Sequence, residues 1–132
     1  KASEDIQKIR NDLLTEVFNK YGTFFAFSDA QFKEQREEGV EYVSLGSGMI
    51  TPKATAGEML KDMDKAIDNA IAKDKELNSK EAIILRELIN YECFYVCSPR
   101  DAIENLAHYN YTEEEIVEVY KKHFTEYHEQ QS

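Results

Sequence analysis

Apolar side chains recur along most of this chain at helical spacing, and two short apolar runs interrupt that period. Ile6, Ile9, Leu13, Val17, Phe18 and Tyr21 share one helical stripe. Ser3 is placed to cap that helix, with Glu4 and Asp5 at the positive end of its dipole and Gly22 as its stop. The run Phe24-Phe25-Ala26-Phe27 reads as a buried strand within Thr23 to Phe27. Ser28-Asp29-Ala30-Gln31 is a capping box, flanked by Phe27 and Phe32 as a hydrophobic staple, and opens a short helix that ends near Gly39. Val40 to Leu45 reads as a second strand, Gly46-Ser47-Gly48 as a turn or bulge, and Met49-Ile50-Thr51 as a returning strand ended by Pro52.

Helices fill the rest. Thr55-Ala56-Gly57-Glu58 is a second capping box, and its helix aligns Met59, Leu60, Met63, Ala66, Ile67, Ala70 and Ile71 before ending around Lys75. Asn78-Ser79-Lys80-Glu81 starts the next, expected to run to about Val96 and apolar around most of its circumference, hence central. Ser98-Pro99 opens a short helix that buries Ala102, Ile103, Leu106 and Ala107 and stops at Asn110. Thr112-Glu113-Glu114-Glu115 caps the last helix, with Tyr111 and Ile116 as its staple and Ile116, Tyr120, Phe124 and Tyr127 buried. The pattern predicts a mainly helical α+β fold: about six helices with a small antiparallel sheet of two or three strands. Phe24, Phe25 or Phe27, Val43, Leu45, Leu88 and Ile89 are expected to share one core.

Composition sharpens this picture. The chain has 132 residues, 42% of them hydrophobic, enough for a single globular domain over 1–132 without disulfide or metal staples, its tail frayed from about Glu129. The formal net charge is -10 and the lysines alternate with acids, as in Lys61-Asp62-Met63-Asp64-Lys65, so direct nucleic-acid binding is not expected. No apolar run is long enough to span a bilayer and no secretory signal is read. The two cysteines, Cys93 and Cys97, make no disulfide framework, and a reducing cytoplasm suits them.

Few residues offer chemistry. Glu92 stands out because Leu85, Leu88, Ile89 and Val96 would share its face of a continuous helix. A carboxylate buried there needs partners, and the favoured reading is a structural Glu bonded to a Tyr hydroxyl, a Lys or backbone amides. The alternative is a ligand pocket built from Asn90, Glu92 and Tyr95 with the turn Gly46, Ser47 and Gly48, whose amides could face a phosphate. No G-K-[ST] or G-x-G-x-x-G pattern supports that, and a plain hairpin turn is favoured. Cys93 and Cys97 read as small apolar core residues, since His108, His123 and His128 have no ligand spacing. No nucleophile elbow is present around Ser44, Ser47 or Ser98. No catalytic residue, metal or cofactor is assigned.

Three segments carry a resemblance: Phe24-Phe25-Ala26-Phe27-Ser28 with Gln31-Phe32; Tyr42-Val43-Ser44-Leu45-Gly46-Ser47-Gly48-Met49 followed by Pro52; and Asn90-Tyr91-Glu92-Cys93-Phe94-Tyr95. In these the chain resembles small uncharacterised proteins encoded by bacteriophages and mobile elements. The resemblance implies a bacterial cytoplasmic setting and carries over no catalytic residue. It also implies a mode of action, since phage accessory proteins of this size often bind and block a host protein. The expected function is therefore that of a non-catalytic acidic interaction protein, a phage-type modulator or inhibitor of a host protein, with a homodimer also allowed. Two rivals are a small-ligand or nucleotide binder at the Gly46–Gly48 and Glu92 pocket, and a nucleic-acid mimic.

Overall fold

The computed structural model describes the backbone over 2–131 and the side chains over 6–128. In order the elements are α1 (Ala2–Tyr21), β1 (Phe24–Phe25), α2 (Asp29–Gln35), β2 (Tyr42–Ser44), β3 (Met49–Pro52), a 3-10 turn (Lys53–Thr55), α3 (Ala56–Leu77), α4 (Lys80–Asn90), α5 (Cys93–Val96), α6 (Arg100–Asn105), a second 3-10 turn (Ala107–Tyr109) and α7 (Glu113–Gln131). This is the mainly helical α+β fold with a small antiparallel sheet. The chain forms two compact units: an N-terminal unit over 7–70, and a C-terminal unit over 71–132 that also takes in 1–6. Helix α1 already includes Ser3, and the cap expected there and the fraying expected from Glu129 fall outside the described side chains.

In the N-terminal unit the strand order is β1-β3-β2, with Phe24 opposite Ile50 and Val43 opposite Thr51. β3 is central because β2 returns on it through a tight turn while β1 pairs on its other edge. Thr51 is fully buried in β3, and its hydroxyl is 2.9 Å from that of Thr23, so each satisfies the other. Phe24, Phe32 and Tyr42 pack edge-to-face or tilted at 5.4–6.1 Å. Ser28 caps α2, with Gln31 N–H donating to Ser28 Oγ at 3.2 Å; the reciprocal bond of a capping box goes one residue further back, Gln31 Oε1 accepting from Phe27 N–H at 2.7 Å. The hydrophobic staple does not form. Phe27 is left 74% exposed while Phe32 turns to Phe24 and Tyr42. At Thr55 the expected capping box is absent too. The 3-10 turn runs straight into α3 through Ala56 at φ -57, so Thr55 is not the extended residue a cap requires.

The C-terminal unit has its own core of Ile83, Ile84, Leu88, Cys93, Phe94, Ala102, Leu106, Ile116 and Val119. Phe94 stacks on Tyr120 and on Tyr127, both at 5.4 Å. Ser79 caps α4, and the box at Thr112 closes with Glu115 N–H to Thr112 Oγ1 at 3.1 Å and Thr112 N–H to Glu115 Oε1 at 2.9 Å. Asn110 stops the second 3-10 turn in the left-handed region at φ 61. The single core expected of Phe24, Phe25 or Phe27, Val43, Leu45, Leu88 and Ile89 is not what forms. Leu88 sits in the core of α4 to α7, the strand residues belong to the other unit, and Leu45 and Ile89 are exposed.

The helix expected to run unbroken to Val96 is interrupted. Tyr91 N–H still bonds Glu87 O, but Glu92 adopts φ 53, ψ 35 and α5 starts anew at Cys93. Continuing the helix would have driven the Glu92 carboxylate into the face of Leu85 and Leu88. Burying an unpaired polar group costs several kcal/mol, against roughly 1–2 kcal/mol for one left-handed residue. The break is the cheaper solution: it turns Glu92 outward and drives Cys93 and Phe94 inward, where both are fully buried.

Candidate functional site

The same break creates an unusual surface on the C-terminal unit. With Cys93 and Phe94 turned inward, their neighbours must face out. Tyr95 is 55% exposed and Val96 56%, and Ile89 and Tyr91 are exposed beside them. Asn90 and Glu92 are exposed as well, so Asn90, Glu92 and Tyr95 all lie on the outside of the α4–α5 junction. The expectation of a buried Glu92 is therefore corrected.

Gly46, Ser47 and Gly48 belong to the N-terminal unit. Met49 N–H donates to Gly46 O at 3.0 Å across the two central residues Ser47 (φ 54) and Gly48 (φ 82). Two positive φ values at the centre give a type I′ reversal, the hairpin turn whose twist matches its strands. Gly48 O accepts from Ala26 N–H at 2.9 Å, which fastens the turn to the chain just after β1. The Phe27 ring lies over Gly48, where a Cβ would overlap it. Beside it is an open hollow of about 490 Å³, lined by Phe27, Ser28, Asp29, Phe32, Ser44 and Ile50 among others. Of the three turn residues, Gly48 alone lines it.

A third feature is a buried polar network in the C-terminal unit. Asp74, on α3, is fully buried. Arg86 of α4 donates to both of its oxygens, at 2.9 and 2.7 Å, Tyr109 OH donates at 2.5 Å, and Asn78 Nδ2 at 2.9 Å. Arg86 also donates to Glu87 at 2.6 Å. Burial alone would raise the Asp74 carboxyl, but the hydrogen bonds from Arg86, Tyr109 and Asn78 outweigh it and hold it below the usual carboxylate range. Burial and the same carboxylate push the Tyr109 phenol well above its ordinary value. Four donors saturate the carboxylate, so the network can tie α3, α4 and the Tyr109 turn together, and has no free valence for a ligand.

A model of DUF7659, a family of unknown function, matches residues 6–126. The chain belongs to this family. No curated protein and no solved structure matches it. The family match takes in the hairpin, the α4–α5 junction and Asp74 alike, so what each of them does in this DUF7659 chain has to be read from its geometry.

Among the described residues neither cysteine has a base placed to activate its thiol. Cys97 is exposed with its Sγ 3.9 Å from His128 Nδ1, but that nitrogen lies 2.8 Å from Phe94 O and donates to it, leaving no lone pair there to take a thiol proton. Cys93 is buried, and burial raises its thiol. Among the described residues no group of His, Cys, Asp and Glu is arranged to hold a metal ion, and no helix is long and apolar enough to cross a membrane. Asp74 was the residue missed in the sequence. It follows Ala70 by four and Ile67 by seven, on the apolar stripe of α3, which is the same signal that drew attention to Glu92.

Proposed function

We propose that this chain is an interaction module that docks another protein through the apolar surface of the α4–α5 junction. One observation carries the reading: Ile89, Tyr91, Tyr95 and Val96 stand exposed around a backbone break. Exposed apolar groups gathered in one place mark interaction sites, and tyrosines supply large contact area at low entropic cost. The net charge of -10 favours a partner with a basic rim and would speed its approach. A partner that is a host protein, modulated or inhibited in a bacterial cytoplasm by a phage-type or mobile-element protein, extends the proposal and draws on the three resembling segments.

The test is affinity capture from a bacterial lysate with wild type and with a Tyr95→Ser, Val96→Ser double variant, checked for equal melting temperature. A stoichiometric partner held by the first and lost by the second supports the reading. A partner held equally by both contradicts it, as does a chain that captures nothing and stays monomeric in light scattering.

A second reading has one observation in its favour. The hollow of about 490 Å³ beside Gly48 is of small-ligand size and has Phe27 and Phe32 with Ser28, Asp29 and Ser44 in its wall. Small molecules co-purified with the chain and identified by mass spectrometry would favour it over docking.

A further inference from the structure

His123, on α7, has its two ring nitrogens facing two different carboxylates. Nε2 lies 3.0 Å from Glu81 in the first turn of α4, and Nδ1 lies 3.2 Å from Glu126 farther along α7. An ionised carboxylate only accepts, and a neutral imidazole carries a single N–H. Both contacts are therefore hydrogen bonds only while the ring is an imidazolium. Glu81 also accepts from Lys122 Nζ at 3.1 and 3.2 Å, so its charge stays covered when the ring loses a proton. Glu126 is 60% exposed and free to turn to water, which makes it the contact that fails.

The ring also ties into the packing of α5. It meets Tyr127 edge-on at 5.9 Å, Tyr127 stacks on Phe94, and His128 donates to Phe94 O. The stretch of α7 that His123 pins is thus the stretch on which α5 is seated. We propose that His123 is a proton-operated clamp: as an imidazolium it holds Glu81 of α4 and Glu126 of α7 at once and steadies the last turns of α7 on which α5 is seated, and as a neutral ring it keeps Glu81, releases Glu126 and loosens those turns.

The surroundings favour the closed state. The hydrogen bond that the ring donates to Glu81 raises the His123 pKa, against burial, and Glu126 adds to the rise. α4 contributes Glu81, and α7 itself Glu126, with Lys122 acting through Glu81. α5 and α6 also pack on α7, and among the described residues neither brings a carboxylate within ion-pair distance of the ring. A pKa raised on folding gives stability that is whole below the unfolded value of about 6.5 and is lost as pH rises through the folded one.

The test combines an NMR titration of the His123 ring with hydrogen exchange of α5 and of the last turns of α7, corrected for intrinsic rates. The midpoint should lie above the ordinary histidine value and fall in Glu81→Gln. Protection should drop as pH rises through that midpoint in wild type and show no such step in His123→Gln. Glu126→Gln keeps an exposed side chain that can either accept or donate, so its contact survives both ring states and the step should shrink. A midpoint at or below the ordinary value, a step that persists in His123→Gln, or an unchanged step in Glu126→Gln would overturn the clamp.

Discussion

Replacing Asp74 by Ala should unfold a large share of this protein's stability. The carboxylate is fully buried and takes four hydrogen bonds, two of them from an Arg86 side chain only 13% exposed. The substitution removes the acceptor that Arg86, Tyr109 and Asn78 share, leaving the phenol and the amide without it and the guanidinium with only Glu87. Breaking one partner of a buried ion pair typically costs about 3–5 kcal/mol. Single domains are stable by only about 5–15 kcal/mol, so the loss is readable in a urea titration as a large fall in midpoint. Arg86→Met in the same background should recover much of it, since a stranded charge is worse than an apolar replacement of both partners. The coupling from the full double-mutant cycle isolates the pair. There is also a pH signature. Hydrogen bonding holds the Asp74 pKa below its unfolded value, so its contribution is present above the ordinary carboxylate range and is lost as pH falls through the folded value. Wild type should lose stability in acid more steeply than the double variant. An Asp74→Ala cost under about 1 kcal/mol would refute the reasoning, because a buried, saturated carboxylate cannot be removed that cheaply.

Three further substitutions have definite outcomes. Leu88→Ala should cost about 2–5 kcal/mol in a denaturant titration, since Leu88 is fully buried in the core of the C-terminal unit. Glu92→Gln should change the melting free energy by less than about 0.5 kcal/mol, as for an exposed residue, and Glu92→Gly should stabilise by up to about 1 kcal/mol by relieving a left-handed glutamate. Gly48→Ala should cost about 1–2 kcal/mol for its φ of 82 alone, and should displace the Phe27 ring, visible as a change in that ring's NMR shifts.

Local rules carried much of the fold into the sequence. The caps at Ser28 and Thr112 formed as their spacing dictates, because a cap is made by residues within four positions of one another, whereas the helix expected to stop at Asn110 ends at Asn105 and only the 3-10 turn after it reaches Asn110. The Gly46–Gly48 hairpin was legible for the same reason. The misreadings are non-local. Helical periodicity placed Glu92 on an apolar face, and only the competing burial of Cys93 and Phe94 decides that the helix breaks instead. Phe27 has the spacing of a staple, yet Phe32 finds Phe24 and Tyr42, which reach it through the sheet. The exposed surface at Tyr95 and Val96 follows from that unforeseen break. Asp74 was visible as an acid on an apolar stripe, but its partners Arg86 and Tyr109 lie 12 and 35 positions away.

The docking of a protein on the α4–α5 junction is tested most directly by placing a photo-crosslinking amino acid at Tyr95 and, as a control, at the exposed Lys8. Irradiation in a bacterial lysate should join one discrete protein to the Tyr95 position and none to Lys8. Equal labelling from both positions, or no adduct from Tyr95, would contradict the account.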